Sequence, residues 1–179
     1  MASDNGPMNL RFWKSMAIVF AACATLHGQG APSMVTEAKQ AYGVVKNNLL
    51  KAAEKMPAES YDFTPVAEIR TFAALIAHIA DAQKRNCSAA RGDLKQGTAA
   101  SKTSKDDLLT ALKDSIAECD AAFEALTDAT ANDAVPFRNA QRSKLAILVY
   151  NTGHDMEEYG YAAVYLRLKG LVPPSSEGR

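Results

Sequence analysis

HDMEEYGYAAVYLRLKGLVPPSS, residues 154–176, decides how this chain is read. Its side chains repeat in steps of three and four, and Gly170, Pro173 and Pro174 end the pattern. That is the period of an α-helix, which extends backwards to about Arg142 and stops at Gly170. Two stripes run along it. Leu145, Leu148, Thr152, Tyr159, Ala162 and Leu166 form one, mostly apolar and facing a core. Ile147, Asn151, His154, Glu158, Tyr161, Tyr165 and Leu168 form the other, apolar at both ends and polar between. A helix that only fills a core rarely lines Asn, His, Glu and two Tyr along one inner stripe, because buried polar groups need partners. The second stripe is therefore the expected functional face.

Three more helical seams precede it. Val35, Ala38, Tyr42, Val45, Leu49, Ala52 and Met56 predict a first helix from Ser33 to about Lys55, capped by Ser33, with Tyr42 structural. The link that follows carries Pro57 and Pro65, and Tyr61 and Phe63 are expected to pack under it as a lid on the bundle end. Thr64 as N-cap and Pro65 at the first helical position predict a second helix over about 65–91, with Ile69, Phe72, Ile76 and Ile79 as its stripe. The stretch 92–105 is a polar loop, and no strand precedes its glycines, so it is not a phosphate-binding turn. Ser104 or Thr103 caps a third helix, with Asp106 and Asp107 in its first turn. Leu109, Leu112, Ile116, Cys119, Phe123 and Leu126 carry that helix to about Thr130. Nothing alternates with the period of a strand, and no repeat is present. Four amphipathic helices with four seams predict an all-α four-helix bundle.

A length of 179 residues suggests one domain, and 47% hydrophobic residues suffice for a core. Twenty basic residues balance twenty acidic ones with no basic patch, which excludes nucleic acid as an expected partner. Near the N-terminus, Arg11, Trp13 and Lys14 precede an apolar run from Met16 to Leu26. That run is too short to span a bilayer as a helix. Small residues beyond it, Gly28 and Gly30, complete the pattern of a secretory signal peptide over residues 1–30. The domain then occupies 31–179, exported to the periplasm or outside the cell, with no membrane span. A lipid anchor at Cys23 is the less favoured variant, and a buried N-terminal helix of a cytosolic protein is the plain alternative. Cys87 and Cys119 lie near core seams. They pair if export and Cα atoms within about 7 Å allow it, but two buried free thiols is the slightly preferred reading.

His154 and Glu158 are four apart, so their side chains meet on one helix face. The spacing suits two ligands of one metal ion. A third must come from another helix, and His78, near the middle of the second, is the remaining histidine of the domain. Two imidazoles and a carboxylate with open positions suit catalytic zinc or non-haem iron. Asp155 and Glu157 fall off that face and read as solvated charges or as groups behind the ligands. Against this stands the plainer reading of His78 as a core residue and His154–Glu158 as a helix-surface pair. Asn151, Tyr161 and Tyr165 are placed to orient a substrate along the stripe.

DFTPVAEIRTFAALIAHIADAQ, residues 62–83, and the C-terminal stretch quoted first resemble the DinB-like family of four-helix-bundle metalloenzymes. The first carries the family's proline, short link and second-helix histidine. The second carries the frame of its last-helix HxxxH, then tyrosine-glycine, a YLR stretch and a GxVPP ending. The resemblance covers about Ser33 to Ser176. It implies a divalent metal, zinc, nickel or iron, on His78, His154 and Glu158, with Glu158 standing where the family usually has histidine. It implies no DNA binding. Family activities are diverse, some being thiol-dependent transfers or isomerisations, and an exported member lacks ready access to cytosolic thiols. Two functions follow. One is an exported metal-dependent enzyme of hydrolase or transferase type acting on a small molecule. The other is a non-catalytic exported binding module that has lost its metal. A homodimer is compatible with either.

Overall fold

The computed structural model describes residues 31–178; the expected signal peptide and the Cys23 anchor lie outside them. The described residues form four α-helices: α1 (Met34–Lys55), α2 (Phe72–Ala90), α3 (Lys105–Ala125) and α4 (Lys144–Leu168). Each is opened by a hydroxyl side chain that accepts from a backbone N–H three residues on. These caps are Ser33, Thr71, Ser104 and Ser143, and each such cap contributes about 1 kcal/mol. Two helices close in the same way. Gly92 and Gly170 take left-handed backbone angles. Asp93 N–H then reaches Ser88 O, and Leu171 N–H reaches Leu166 O, satisfying carbonyls that the helix end leaves open.

Boundaries differ from expectation in three places. α2 begins at Phe72, not Pro65, because Thr71 caps it while the Thr64 hydroxyl donates to Val66 O; Ile69 is left exposed. α3 ends at Ala125 instead of near Thr130, since Thr127 and Thr130 bond to one another and form a turn. The link after it contains a two-stranded antiparallel hairpin, β1 (Ala134–Phe137) with β2 (Ala140–Ser143). Tyr61 packs as expected, buried edge-on to Phe72 and donating to Ala53 O.

The helices run up, down, down and up. Two apolar clusters establish this. One joins the end of α1 (Leu49, Met56) to the starts of α2 (Phe72, Ile76) and α3 (Leu108, Leu112) and the end of α4 (Leu166). The other joins the start of α1 (Val35, Tyr42), the ends of α2 and α3 (Ala89, Phe123), and the start of α4 (Ile147, Leu148). α2 therefore lies parallel to α3, and the loop 92–104 travels back along the bundle's length. Two anchors hold it. Asp81 accepts Ala99 and Ala100 N–H. Buried Glu118 meets Arg91, Lys95 and Lys84 at 2.6, 2.9 and 3.3 Å. Burial pushes the Glu118 carboxyl up, but hydrogen bonds from these three cations outweigh it and hold it at about 2.

Cys87 and Cys119 are joined as a disulfide, with Cα atoms 4.9 Å apart, which corrects the preferred reading of two free thiols. Parallel α2 and α3 bring the two positions level. Among the described residues no helix is long and apolar enough to cross a membrane.

Candidate metal centre

Between the two apolar clusters lies a polar layer: Gln83 and Asn86 of α2, Ser115 of α3, and Asn151, Asp155 and Glu158 of α4, all buried. Antiparallel packing of α2 on α4 sets their pairing, with His78 opposite His154 and Glu158, Gln83 opposite Asp155, and Asn86 opposite Asn151.

The three expected donors converge. His78 Nε2 and His154 Nε2 are 3.1 Å apart, and Glu158 Oε1 is 3.4 Å from the first and 3.6 Å from the second. Three atoms so spaced lie on a circle of about 2 Å radius, so a point roughly 2.0–2.2 Å from all of them exists, the length of metal–imidazole and metal–carboxylate bonds. His78, His154 and Glu158 are the group among the described residues whose atoms could hold a metal ion. Glu158 is almost fully buried, while the His78 side chain keeps 34% of its surface in solvent. Burial, and next the positive charge of Arg70, push the His78 pKa below its ordinary value against the pull of Glu158. That direction favours the neutral imidazole, the state a ligand requires.

The donor set fits a divalent ion on a second count. Glu158 Oε2, His154 Nδ1 and Asp155 Oδ1 are buried with no hydrogen-bond partner among the described residues. A lone carboxylate there is costly, and a cation offsets its charge. His154 Nδ1 faces Asp155 Oδ1 at 3.8 Å. That is longer than a hydrogen bond. A proton on Nδ1 leaves the Nε2 lone pair for the ion, the usual arrangement of carboxylate, histidine and metal.

Of the two readings open for Asp155, a solvated charge or a group behind the ligands, the structure favours the second. It is fully buried, not a solvated charge, and burial raises its pKa against opposing contacts from His154, Gln83 and Asn151. Gln83 Nε2 and Asn151 Nδ2 each donate to Asp155 Oδ2 at 2.9 Å, and Ser115 donates to Gln83 Oε1. The available signal was Gln83 and Asn86, polar residues inside the apolar face of α2. Glu157 is exposed, as expected.

The three expected substrate contacts fare differently. Asn151 is fully buried and engaged, donating to Asp155 and accepting from Asn86, so it supports the site from behind. Tyr165 is buried and donates to the Arg70 carbonyl, tying the entry of α2 to α4. Tyr161 is 51% exposed and stands on the solvent edge of the stripe. None of the three turns a free polar group into the centre between the helices.

Comparison with known proteins agrees with this architecture. The family model described as the DinB superfamily matches residues 41–162. A DinB-like protein from Bacillus cereus ATCC 10987 superposes with a TM-score of 0.67 at 16% identity, over 76% of this chain and 93% of that one. A DinB-like protein from Bacillus subtilis gives 0.64 at 19% identity, over 80% and 99%. A conserved protein from Enterococcus faecalis gives 0.59 at 16%, over 77% and 98%. Curated proteins give no match. At these identities the structures speak for the fold alone, while the family model spans well over half of the sequence, and the chain belongs to the DinB superfamily.

Proposed function

We propose that His78, His154 and Glu158 hold one divalent ion, zinc, nickel or iron, and that the chain is a metal-dependent enzyme of hydrolase or transferase type acting on a small molecule. The convergence of the three donor atoms from two helices carries this reading. When bound, the ion supplies Lewis acidity, polarising a substrate oxygen or lowering the pKa of a water or thiol. The chain's own residues prepare for it. Glu158 brings negative charge into a nearly dry position, Asp155 orients the His154 ring, and Gln83 and Asn151 hold Asp155. His78, open to solvent, leaves an approach from the α2 side.

One observation favours the alternative, a binding module without metal. A separation of 3.1 Å also suits an N–H···N hydrogen bond between two neutral imidazoles. Elemental analysis of protein purified without added metal separates the two. Close to one ion per chain is expected. At a hundredfold excess of ion over Kd, stabilisation of about 2.7 kcal/mol is expected, a rise in Tm of about 5–10 °C. No ion and no shift with zinc, nickel, manganese or ferrous iron would leave the imidazole pair as a satisfied polar core.

Export belongs to the same proposal. The basic-then-apolar N-terminus motivates it, and the Cys87–Cys119 disulfide supports it, since such bonds persist in oxidising compartments. Expressed in a Gram-negative host, the protein is expected in the periplasm with about thirty residues removed. An intact mass showing the full chain in the cytosol overturns this, and a lipid on Cys23 would point to the anchored form.

A further inference from the structure

Beside the metal centre, on the solvent side of α2, lies a cavity of about 520 Å³, within the range of sites that take small molecules. His78 lines it and is also a metal-centre donor, so cavity and centre share a wall. Three alanines of α2 give that wall little bulk. Three of its lining residues are cationic. Arg70 stands just before α2, Arg85 lies about two turns beyond His78, and Lys102 comes from the loop that runs back along the bundle. Among the described residues none of these three cations has a carboxylate within ion-pair distance.

Three cations against two carboxylates leave the cavity one formal positive charge in excess. Asp62 is exposed, and Asp81 is engaged by Ala99 and Ala100 N–H. Those bonds clamp the loop carrying Lys102 onto α2. Gly97 is part of the clamp, since a Cβ there would fall 2.0 Å from Asp81 Oδ1. The wall is therefore fixed in place. The first N–H groups of α2 are also taken: Phe72 donates to Phe63 O, Ala73 to Tyr61 O, Ala74 to Thr71 Oγ1 and Leu75 to Thr71 O. An anion entering the cavity must then be held by side chains, and each guanidinium group offers the paired donors that a carboxylate or phosphate accepts.

We propose that this cavity is the substrate subsite and that it receives a small molecule bearing a carboxylate or a phosphate, its anion drawn in by Arg70 and Arg85, which flank His78 along α2, and its reactive end turned to His78. The orientation rests on the metal reading above; the capture of the anion does not, because the chain alone supplies it.

Calorimetric titration of the full chain tests this in chelator-treated and zinc-loaded forms, with phenyl phosphate, phenylacetate and neutral benzyl alcohol as probes. An anionic probe is expected to bind the metal-free protein at least about tenfold more tightly than the alcohol, and the stronger of the two names the natural group. Arg85→Gln and Arg70→Gln are each expected to weaken it about tenfold or more, and Lys102→Gln a few-fold. Loss of zinc binding with anion binding retained would sink the metal reading and leave this one standing. Binding unchanged in the arginine variants, equal binding of the alcohol, or no binding up to about 10 mM overturns the subsite. So does anion binding confined to the zinc-loaded form, which would place the anion on the ion. Should Arg70→Gln fail to fold, since the Arg70 carbonyl anchors Tyr165, Arg85→Gln with Lys102→Gln decides the question.

Discussion

Glu158→Gln is expected to weaken divalent-ion binding by about 100-fold or more while leaving the metal-free protein as stable as before, or more so. The two effects have one cause. Glu158 is nearly buried, its Oε1 is shared between two imidazoles, and its Oε2 has no partner among the described residues. With an ion present, the carboxylate is the charged ligand of the three. Disturbing even the groups behind metal ligands typically costs 10–100-fold in affinity, so loss of a ligand should reach the top of that range, about 2.7 kcal/mol. Without an ion, the same group is an anion withdrawn from water and half satisfied, and a neutral amide of equal size relieves roughly 1 kcal/mol of that penalty. Glu158→His supplies a third imidazole and is expected to tighten zinc and nickel, which favour nitrogen donors. Competition against a chelating dye gives the affinities, and melts with and without chelator give the stabilities. If Glu158→Gln takes up zinc as well as the native chain does, the carboxylate is no ligand. If its metal-free form is instead strongly destabilised, Glu158 holds the imidazole pair together and the polar-core reading gains.

The helices and the donor triad were legible because both follow from one period. Steps of three and four place His154 and Glu158 on a common face. The polar interruption in α4 has its counterpart in α2, where Gln83 and Asn86 interrupt the apolar run. What the period could not give was the width of the buried arc. His154 sits at its edge, with 15% of the side chain exposed. A stripe stepping by sevens drifts about 20° with each step, which carries Tyr161 and then Leu168 out to solvent. The same arc extends the other way past Asp155, so a residue that reads as off the face is in fact enclosed. The hairpin stayed hidden because its strands are four residues each, one containing Pro136, too short for an alternation to stand out. Its turn uses Arg138 in the left-handed region, where a glycine would have marked it. The start of α2 went astray on Pro65, a good first helical residue that the chain instead leaves in the link. The direction of α3 depended on a loop whose length allows either a tight return or a run along the bundle; the Asp81 and Glu118 anchors that select the second are long-range contacts that no local pattern encodes.

Reduction of the Cys87–Cys119 disulfide is expected to lower stability by roughly 3–4 kcal/mol, the entropy released when a loop of this size is no longer closed in the unfolded chain. The bond spans 32 residues. Those residues include the end of α2, the whole crossover and most of α3, so the bond closes the one segment that must travel the length of the bundle. For a domain of this size the drop corresponds to a Tm lower by about 10 °C. Both sulfurs are buried, so a reductant should act slowly on the native protein and quickly once it is partly unfolded. Cys87→Ala combined with Cys119→Ala should match the reduced native chain, which separates the loss of the crosslink from any effect of the reductant. Some loss should also reach the metal centre. Cys119 Sγ lies 3.8 Å from Asn151 Nδ2, and Asn151 holds Asp155 behind His154. A modest fall in ion affinity, of up to about tenfold, is therefore expected in the double variant. Thiol titration of the denatured, unreduced domain comes first: no reactive thiol is expected from these two positions, and two would mean that the bond does not form. A double variant that melts within about 2 °C of the native protein would mean that the Asp81 and Glu118 anchors alone fix the crossover.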